Sequence, residues 1–310
     1  MPANANFDTL LSTTMLKYKK RLTDNVFLDR PLTNWIMSKG RMRMEDGGTK
    51  IVEPLIHGSN DTVAAYSDYD TISLTPQDGI SAAEFEWRQL AGSIAISGIE
   101  EAKNNGEAQV VKLLDAKIMQ LEESMKDKFS NMLFAASVAA GEWNSLNVLV
   151  DATGSVGNID PSVAGNSFWA SYEENTSTAL TIAQMTTAFN TASNGNDSPD
   201  GVFGTQTLYE KYEALLAPQL RYTDTKMADV GFQNLMFKTA PFMFDKSATT
   251  GHVYFLNSKY IQMVGHSDKW FKQTEFVRPE NMDARYALIF CYGNLTLRNR
   301  KRHGKLTAKT

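Results

Sequence analysis

One stripe of apolar residues constrains this chain more than any other feature. Val111, Leu114, Ile118, Leu121, Met125, Phe129, Met132 and Ala136 recur at steps of three and four, while Lys112, Asp115, Lys117, Glu122, Lys126 and Asp127 fall off the stripe. That is the period of a single amphipathic α-helix. Counted from the acidic first turn at Glu100 and Glu101, it would run for roughly 35 to 40 residues and, at ~1.5 Å per residue, more than about 50 Å. Such a helix can serve a bundle or a coiled-coil seam. The sequence holds no second helix of comparable length, so the stripe is expected to pack on a sheet.

The sheet is legible at the other end of the chain. Between Ala284 and Leu297, the set Tyr286, Leu288, Phe290 and Tyr292 alternates with Ala287, Ile289 and Cys291, and both sets are apolar. A strand of that kind is central and covered on both faces. His252 to Asn257, Tyr260 to Val264 and Trp270 to Val277 read as further strands. The intervening stretch, 145–250, reads as an inserted α+β module. Trp143 to Tyr172 is rich in Gly, Asn and Ser; Thr181 and Gln184 then have capping-box spacing, with Ile182, Met185 and Phe189 on one helical face up to Asn194-Gly195. Pro199-Asp200-Gly201 makes a turn, Val202-Phe203 a short strand, and Thr207 with Glu210 opens a second helix carrying Leu208, Tyr212 and Leu215.

Ahead of the long helix the pattern changes twice. Residues 1–45, broken by Pro31 and Gly40, read as an extended arm with one short helix around Phe7 to Leu22. Lys50 to Ile56 reads as a strand cut by Pro54; Ala83, Phe85 and Trp87 alternate with Glu84, Glu86 and Arg88, and Ile94 and Ile96 continue that spacing. With the polar stretch from His57 to Ile80 as its tip, this predicts one long two-stranded ribbon. Such a ribbon is marginal alone. It folds back on its own domain or lies across a neighbouring subunit.

Charge follows the same divisions. Residues 1–45 carry eight basic side chains (Lys17, Lys19, Lys20, Arg21, Arg30, Lys39, Arg41 and Arg43) against four acids, a balance of +4. Residues 46–102 hold only Lys50 and Arg88 against ten acids, among them Asp61, Asp68, Asp70, Asp78, Glu84 and Glu86, a balance of −8. Residues 278–310 return to +6 and close on Arg298, Arg300, Lys301, Arg302, His303 and Lys305. Solvated faces alone can produce such blocks. Alternating blocks in one chain also suit contacts between copies of it.

Other classes find little support. At 310 residues, 42% hydrophobic and 21% charged, the chain has ordinary globular values and enough length for a sizeable core. The opening MPANANFDTL lacks a secretory-signal pattern, and the most apolar stretch, Met132 to Ala140, is too short for a membrane span. One cysteine, Cys291, cannot form an internal disulfide; in a doubly apolar strand it reads as an inert buried thiol. His57, His252, His266 and His303 lie far apart with no HxxxH, HxH or CxxC spacing, so no metal or cofactor is expected. Phosphate-loop and GxSxG motifs are missing. The run Gly265-His266-Ser267-Asp268 contains triad residue types, but sequence neighbours rarely form a triad and a turn explains it better. No catalytic residue is expected, and the protein is read as no enzyme.

The order of these parts resembles the major capsid proteins of tailed double-stranded-DNA bacteriophages, with their Hong Kong 97-type capsid fold. LTIAQMTTAFNTASNGNDSPDGVFGTQTLYEKYEALL (180–216) is similar to the helix, strand and helix of their axial A-domain. GHVYFLNSKYIQMV (251–264) resembles their return strand, YGNLTLRNRKRHGKL (292–306) their close, and EEAKNNGEAQVVKLLDAKI (100–118) the start of their spine helix. The resemblance implies an α+β fold divided into an N-terminal arm (1–47), an E-loop ribbon (48–97), the spine helix with the first part of a P-domain (98–142), an A-domain (143–258), and the rest of the P-domain with a basic C-terminus (259–310). It implies a subunit that assembles with itself into hexamers and pentamers of an icosahedral virion shell, in the bacterial cytoplasm, around double-stranded DNA touched weakly and non-specifically. A portal, a separate scaffolding protein and decoration proteins are the other expected partners, and no membrane. An encapsulin-like compartment shell or a tail-tube subunit are the alternatives.

Contacts between subunits are expected from Asp61, Asp68, Asp70, Asp78, Glu84 and Glu86 toward Lys17, Lys19, Lys20, Arg21, Arg41, Arg43, Arg298, Arg300 and Arg302. Some members of the family cross-link an E-loop lysine to a neighbour's asparagine. Between Ile51 and Ala102 this chain has no lysine, so that bond is not expected here.

Overall fold

The computed structural model describes residues 30–103, 113–216 and 235–310. The expected helix around Phe7 to Leu22, the arm residues Lys17, Lys19, Lys20 and Arg21, and Val111 of the stripe lie outside the described residues.

The chain enters through helix α1 (Pro31–Ser38). Proline at the first helical position presets φ and needs no N–H partner there, so Pro31 opens a helix where the sequence reading saw only a break. Leu32, Trp35 and Ile36 are its buried face, and the Trp35 ring stands edge-on to Phe203 at 5.3 Å.

Two sheets share the load of burial. The first combines β1 (Met42–Glu45), β4 (Arg88–Ser97), β10 (Ile261–His266), β11 (Lys272–Gln273) and β12 (Ala284–Leu297). The 14-residue β12 is its centre: β4 pairs with it from Ser97↔Ala284 to Arg88↔Gly293, while β10 and β11 share its other edge, at Gly293 to Leu297 and Ile289 to Phe290. The expected central strand thus has the expected bounds. Helix α2 (Gly98–Lys103) follows β4 directly, and α3 (Leu113–Leu133) lies over it. Gly92 makes the close approach possible, because a Cβ there would sit 2.6 Å from Leu121 Cδ1 and 3.1 Å from Met125 Sδ. Met125, Phe129, Met132 and Leu133 enter one core with Ile289, Cys291, Trp143 and Met263. The helical stripe ends at Leu133, three residues short of the expected Ala136.

The second sheet has the order β5 (Tyr172–Asn175), β13 (Gly304–Thr307), β9 (Val253–Leu256), β6 (Gly201–Gly204), β8 (Ala240–Phe244) and β7 (Leu235–Phe237). Its residues alternate between two cores. After the short helix α4 (Leu146–Leu149) come α5 (Ile182–Ala192) and α6 (Gln206–Leu216); Val202, Phe242, Val253 and Phe255 face α5 and α6, whereas Phe203, Met243, Tyr254 and Leu256 face the core shared with α1 and α3. Covered on both sides, its inner strands read as continuous apolar runs. The capping box of α5 forms as expected between Thr181 and Gln184. For α6 the capping hydroxyl is Thr205, which accepts from Leu208 N at 3.4 Å, instead of the expected Thr207.

Two organisational expectations change. Strand β13 leaves the C-terminal basic segment and inserts between β5 and β9, so residues 304–307 belong to the sheet of the inserted module. The ribbon is shorter than expected: β2 (Ile51–Ile56) pairs only with β3 (Ile80–Phe85), and β4 passes into the first sheet. Trp270 to Val277 is strand only at Lys272–Gln273, with one further bridge from Val277 to Tyr286.

Candidate assembly surface

The ribbon divides into a seated foot and a bare tip. At the foot, Ile51, Glu53 and Leu55 alternate inward and are at most 3% exposed, opposite Ala83 and Phe85. Glu53 is a fully buried carboxylate with three partners. Its Oε1 accepts from Arg43 at 2.8 Å and Thr296 Oγ1 at 3.1 Å, and its Oε2 from Arg298 Nε at 2.8 Å. Arg43 comes from β1 and Arg298 from the end of β12, so the carboxylate ties the ribbon to two strands of the first sheet. Glu84 N donates to Gly157 O at 3.0 Å, and Gly157, at φ +61°, approaches so close that a Cβ there would sit 2.7 Å from Ala83 Cβ. Lys50 pairs with Glu84 at 2.6 Å and holds its carboxyl below the usual carboxylate range. Trp87 Nε1 donates to Gly48 O at 2.9 Å, closing the turn out of the ribbon.

Beyond Ile56 and Ile80 the ladder stops. Residues 57–78 contain Val63, Tyr66, Tyr69, Ile72 and Leu74, each at least 61% exposed. Asp61, Asp68, Asp70 and Asp78 share this tip and are exposed. Asp61 accepts from Ser59 Oγ and Asp70 from Ser67 N, local bonds that shape turns. Among the described residues these four carboxylates meet no basic side chain.

The structure separates the other candidate contacts by role. Glu86 is exposed and pairs with Arg88 at 3.2 Å. Arg41 and Arg302 are half-buried, Arg302 lying near Tyr260. Arg43 and Arg298 serve Glu53 of their own chain. Arg300 corrects the expectation for the basic C-terminus outright, because it is fully buried and its guanidinium donates to the carbonyls of Val148, Leu149, Thr153 and Gly154 at 2.8–3.1 Å. Burial lowers its pKa to about 10, with Asp151, Glu173 and Asp160 opposing, so it stays charged at neutral pH. Lys305 and Lys309 are buried too, against Glu173 and Glu174 at 3.3 and 2.9 Å. Part of a basic run that reads as surface, Arg300, Lys305 and Lys309, is thus buried beside the second sheet, while Arg298 and Lys301 stay exposed.

Sequence reasoning missed Glu53, although the signal was present. In Ile51-Val52-Glu53-Pro54-Leu55 the period of two puts the glutamate on the face of Ile51 and Leu55. A carboxylate on a buried face requires cationic partners.

His266 Nδ1 accepts from Asp268 N at 3.2 Å within a short turn, and Ser267–Lys269 is one 3-10 turn. Burial pushes the Cys291 thiol up to about 12. Among the described residues no group of three His, Cys, Asp or Glu side chains is placed to hold a metal ion, and no helix is long and apolar enough to cross a membrane.

No protein-family model and no curated protein matches the sequence. Solved structures do match over nearly the full chain. The capsid of cyanophage A-1(L) superposes with a TM-score of 0.69 at 14% identity, covering 95% of this chain and 96% of that one. The holo-SrpI encapsulin complex of Synechococcus elongatus PCC 7942 matches with a TM-score of 0.61 at 10% identity, covering 97% and 95%. For the capsid of Myoviridae phage XM1 the values are 0.54 and 12%, covering 87% and 90%. At such identities the shared property is the fold, and the chain has the Hong Kong 97-type capsid fold.

Proposed function

We propose that this chain is the structural subunit of an icosahedral tailed-phage head, self-assembling into hexamers and pentamers that enclose double-stranded DNA. The observation that carries the reading is the ribbon tip. Five large apolar side chains, each at least 61% exposed, stand beyond the last ladder pair on a projection that no described residue of its own chain covers. Isolated soluble chains rarely present so concentrated an apolar surface, and a second copy is its natural cover in a fold shared with capsid shells.

In this reading the ribbon is the E-loop, α3 the spine helix, the first sheet the P-domain and the second sheet the A-domain near each capsomer centre. Each contact needs to be only modest, since a subunit held at several places gains effective concentration. The virion capsid is the proposed location, with assembly in the host bacterial cytoplasm. A portal, a scaffolding protein and decoration proteins are proposed partners, and contact with the packaged DNA is weak and non-specific. No enzymatic step is assigned.

An encapsulin-like compartment is the second reading, supported by the match to the SrpI encapsulin complex. Negative-stain microscopy of the purified protein tests both against a tail tube or a small oligomer: closed shells are expected, and tubes or small particles would overturn the shell. Nuclease-protected DNA in particles from infected cells separates a phage head from an encapsulin-like compartment.

A further inference from the structure

Away from the ribbon, one buried lysine is held against both a carboxamide and a carboxylate. Lys305 lies in β13, whose register sets it beside Glu173 of β5 and Tyr254 of β9. The lysine is 2% exposed and Tyr254 is fully buried. Lys305 Nζ stands 3.3 Å from Glu173 Oε1 and 3.5 Å from Asp151 Oδ2. The same nitrogen donates to Asn147 O at 3.0 Å and to Asn147 Oδ1 at 3.4 Å.

Asn147 is itself fixed. It sits in α4, which Ser145 caps by accepting from Val148 N, and its Nδ2 donates to Ala136 O at 2.7 Å. With the carboxamide nitrogen held there, the oxygen is left to Lys305. Arg300, donating to the carbonyls of Val148 and Leu149, ties the same helix to the segment that leads into β13. Amine and carboxamide are therefore held in contact from both sides. Burial, and the hydrogen bond with Asp151, raise the Glu173 carboxyl above the usual carboxylate range. A carboxylate in that position takes up a proton more readily than one in water.

We propose that Lys305 and Asn147 become joined by an amide bond within the chain, formed in the folded protein with Glu173 as the proton carrier. Glu173 takes a proton from the Lys305 ammonium, and the Nζ lone pair attacks Asn147 Cγ. The Cγ–Nζ bond forms and the Cγ–Nδ2 bond breaks, Nδ2 leaving as ammonia with the proton that Glu173 carried. The surplus proton on Nζ passes through Glu173 to the ammonia, so the products are an amide, the original carboxylate and ammonium. Nothing is oxidised or reduced. Amides resist amines in water; the fold supplies held contact, equivalent to roughly 10⁵ M or more of effective concentration. Leu146 and Leu149 of α4 belong to the core beneath the first sheet, so the bond staples that core to the second sheet across 158 positions. It is internal to one chain, uses no ribbon residue and is independent of what the chain assembles into.

Intact mass spectrometry of the purified chain, unfolded after storage in its folded form, tests the bond. The mass is expected to fall short of the sequence value by one ammonia, about 17 Da. In a tryptic digest the peptides carrying Asn147 and Lys305 are expected as one branched species, with no cleavage after Lys305. A full mass would overturn the proposal. So would a deficit with both peptides linear, since that places the lost ammonia at another residue. Glu173→Gln keeps the neighbours and removes the carrier, and this variant is expected at full mass. A branched peptide formed in it as fast as in the parent would overturn the role of Glu173. The parent chain alone decides whether the bond forms, so misfolding of the variant leaves that result standing.

Discussion

Arg298 and Glu53 stand 245 positions apart in the chain and 2.8 Å apart in the fold, Nε of one donating to Oε2 of the other. With Arg43 on the second oxygen, this places a carboxylate of zero exposure between two guanidinium groups that are 26% and 41% exposed. The pair joins the foot of the ribbon to the last turn of the first sheet. Ribbon direction and β12 therefore cannot change independently.

Removing that carboxylate has a definite expected cost. Glu53→Gln keeps the shape and leaves Arg43 and Arg298 uncompensated at a partly dry site. Breaking one side of a buried pair typically costs ~3–5 kcal/mol, and the partial exposure of both arginines lowers this to about 2–3 kcal/mol. Denaturant unfolding of the free subunit measures it. A loss under about 0.5 kcal/mol would show that solvent already carries the two cations.

Arg300 answers a different need. Val148, Leu149, Thr153 and Gly154 present carbonyls to one point inside the chain, and a planar fork of N–H donors is the side chain that satisfies all of them. Arg300→Lys keeps the charge but cannot reach the same set. It is expected to cost about 3 kcal/mol or more, since each buried acceptor left without a donor costs ~1–3 kcal/mol. Thermal unfolding together with limited proteolysis within 148–154 checks this, and an unchanged melting temperature would contradict it.

The sequence carried the strands and helices better than their partners. Ala284 to Leu297 was legible end to end because both faces of β12 are apolar over its whole length. The break between β3 and β4 at Glu86-Trp87 was not, since the period of two is the same in a free ribbon and in a sheet; Phe85 and Ile94 alternate alike but face different partners. Pro31 was read as a breaker, whereas it opens a helix that the buried contact of Trp35 on Phe203 holds in place. Asp61, Asp68, Asp70 and Asp78 stand exposed where the polar stretch predicted a tip. Arg300 deceived because the need it meets belongs to carbonyls some 150 positions earlier, and a backbone acceptor leaves no mark in the residue types.

One buried histidine, His303, and one half-buried, His252, set an acid limit on the subunit. Burial lowers His303 to about 3 and, with Lys305 nearby, His252 to about 4, against 6.5 for the free side chain. Both rings stay neutral in the fold while the unfolded chain takes up protons below about pH 6.5, so the native state binds fewer protons. Stability is therefore complete above that pH and is lost as the pH falls toward the folded values. With two protons involved the slope approaches ~2.7 kcal/mol per pH unit. Urea midpoints between about pH 7 and 4 measure it, and His252→Gln should flatten the profile. A midpoint constant across that range would refute the assignment.

Covalent joining of subunits through the ribbon is not expected. The lysine at its foot, Lys50, is paired with Glu84 at 2.6 Å, and none occurs from Ile51 to Ala102. Assembled particles boiled in detergent should run as a single band at the mass of one chain on denaturing electrophoresis. A ladder of multiples would demand a cross-link elsewhere in the chain.

The tip aspartates give the most direct test of assembly by charge. Asp68 and Asp70 are exposed, lie beyond the last ladder pair, and meet no basic side chain among the described residues, so reversing them disturbs no internal pair. Arg43, Arg298 and Arg300 are engaged inside their own chain, which narrows the complementary side to the exposed or half-buried bases of a neighbour, Arg41 and Arg302 among them. Asp68→Lys with Asp70→Lys should leave the unfolding midpoint within about 0.5 kcal/mol of the parent, as surface changes do. Shell yield should fall, most strongly at low salt, because screening over a Debye length of ~10 Å at 0.1 M weakens the new repulsion as it weakens the original attraction. Equal yield at every salt concentration would mean that the apolar side chains of the tip alone hold the neighbour.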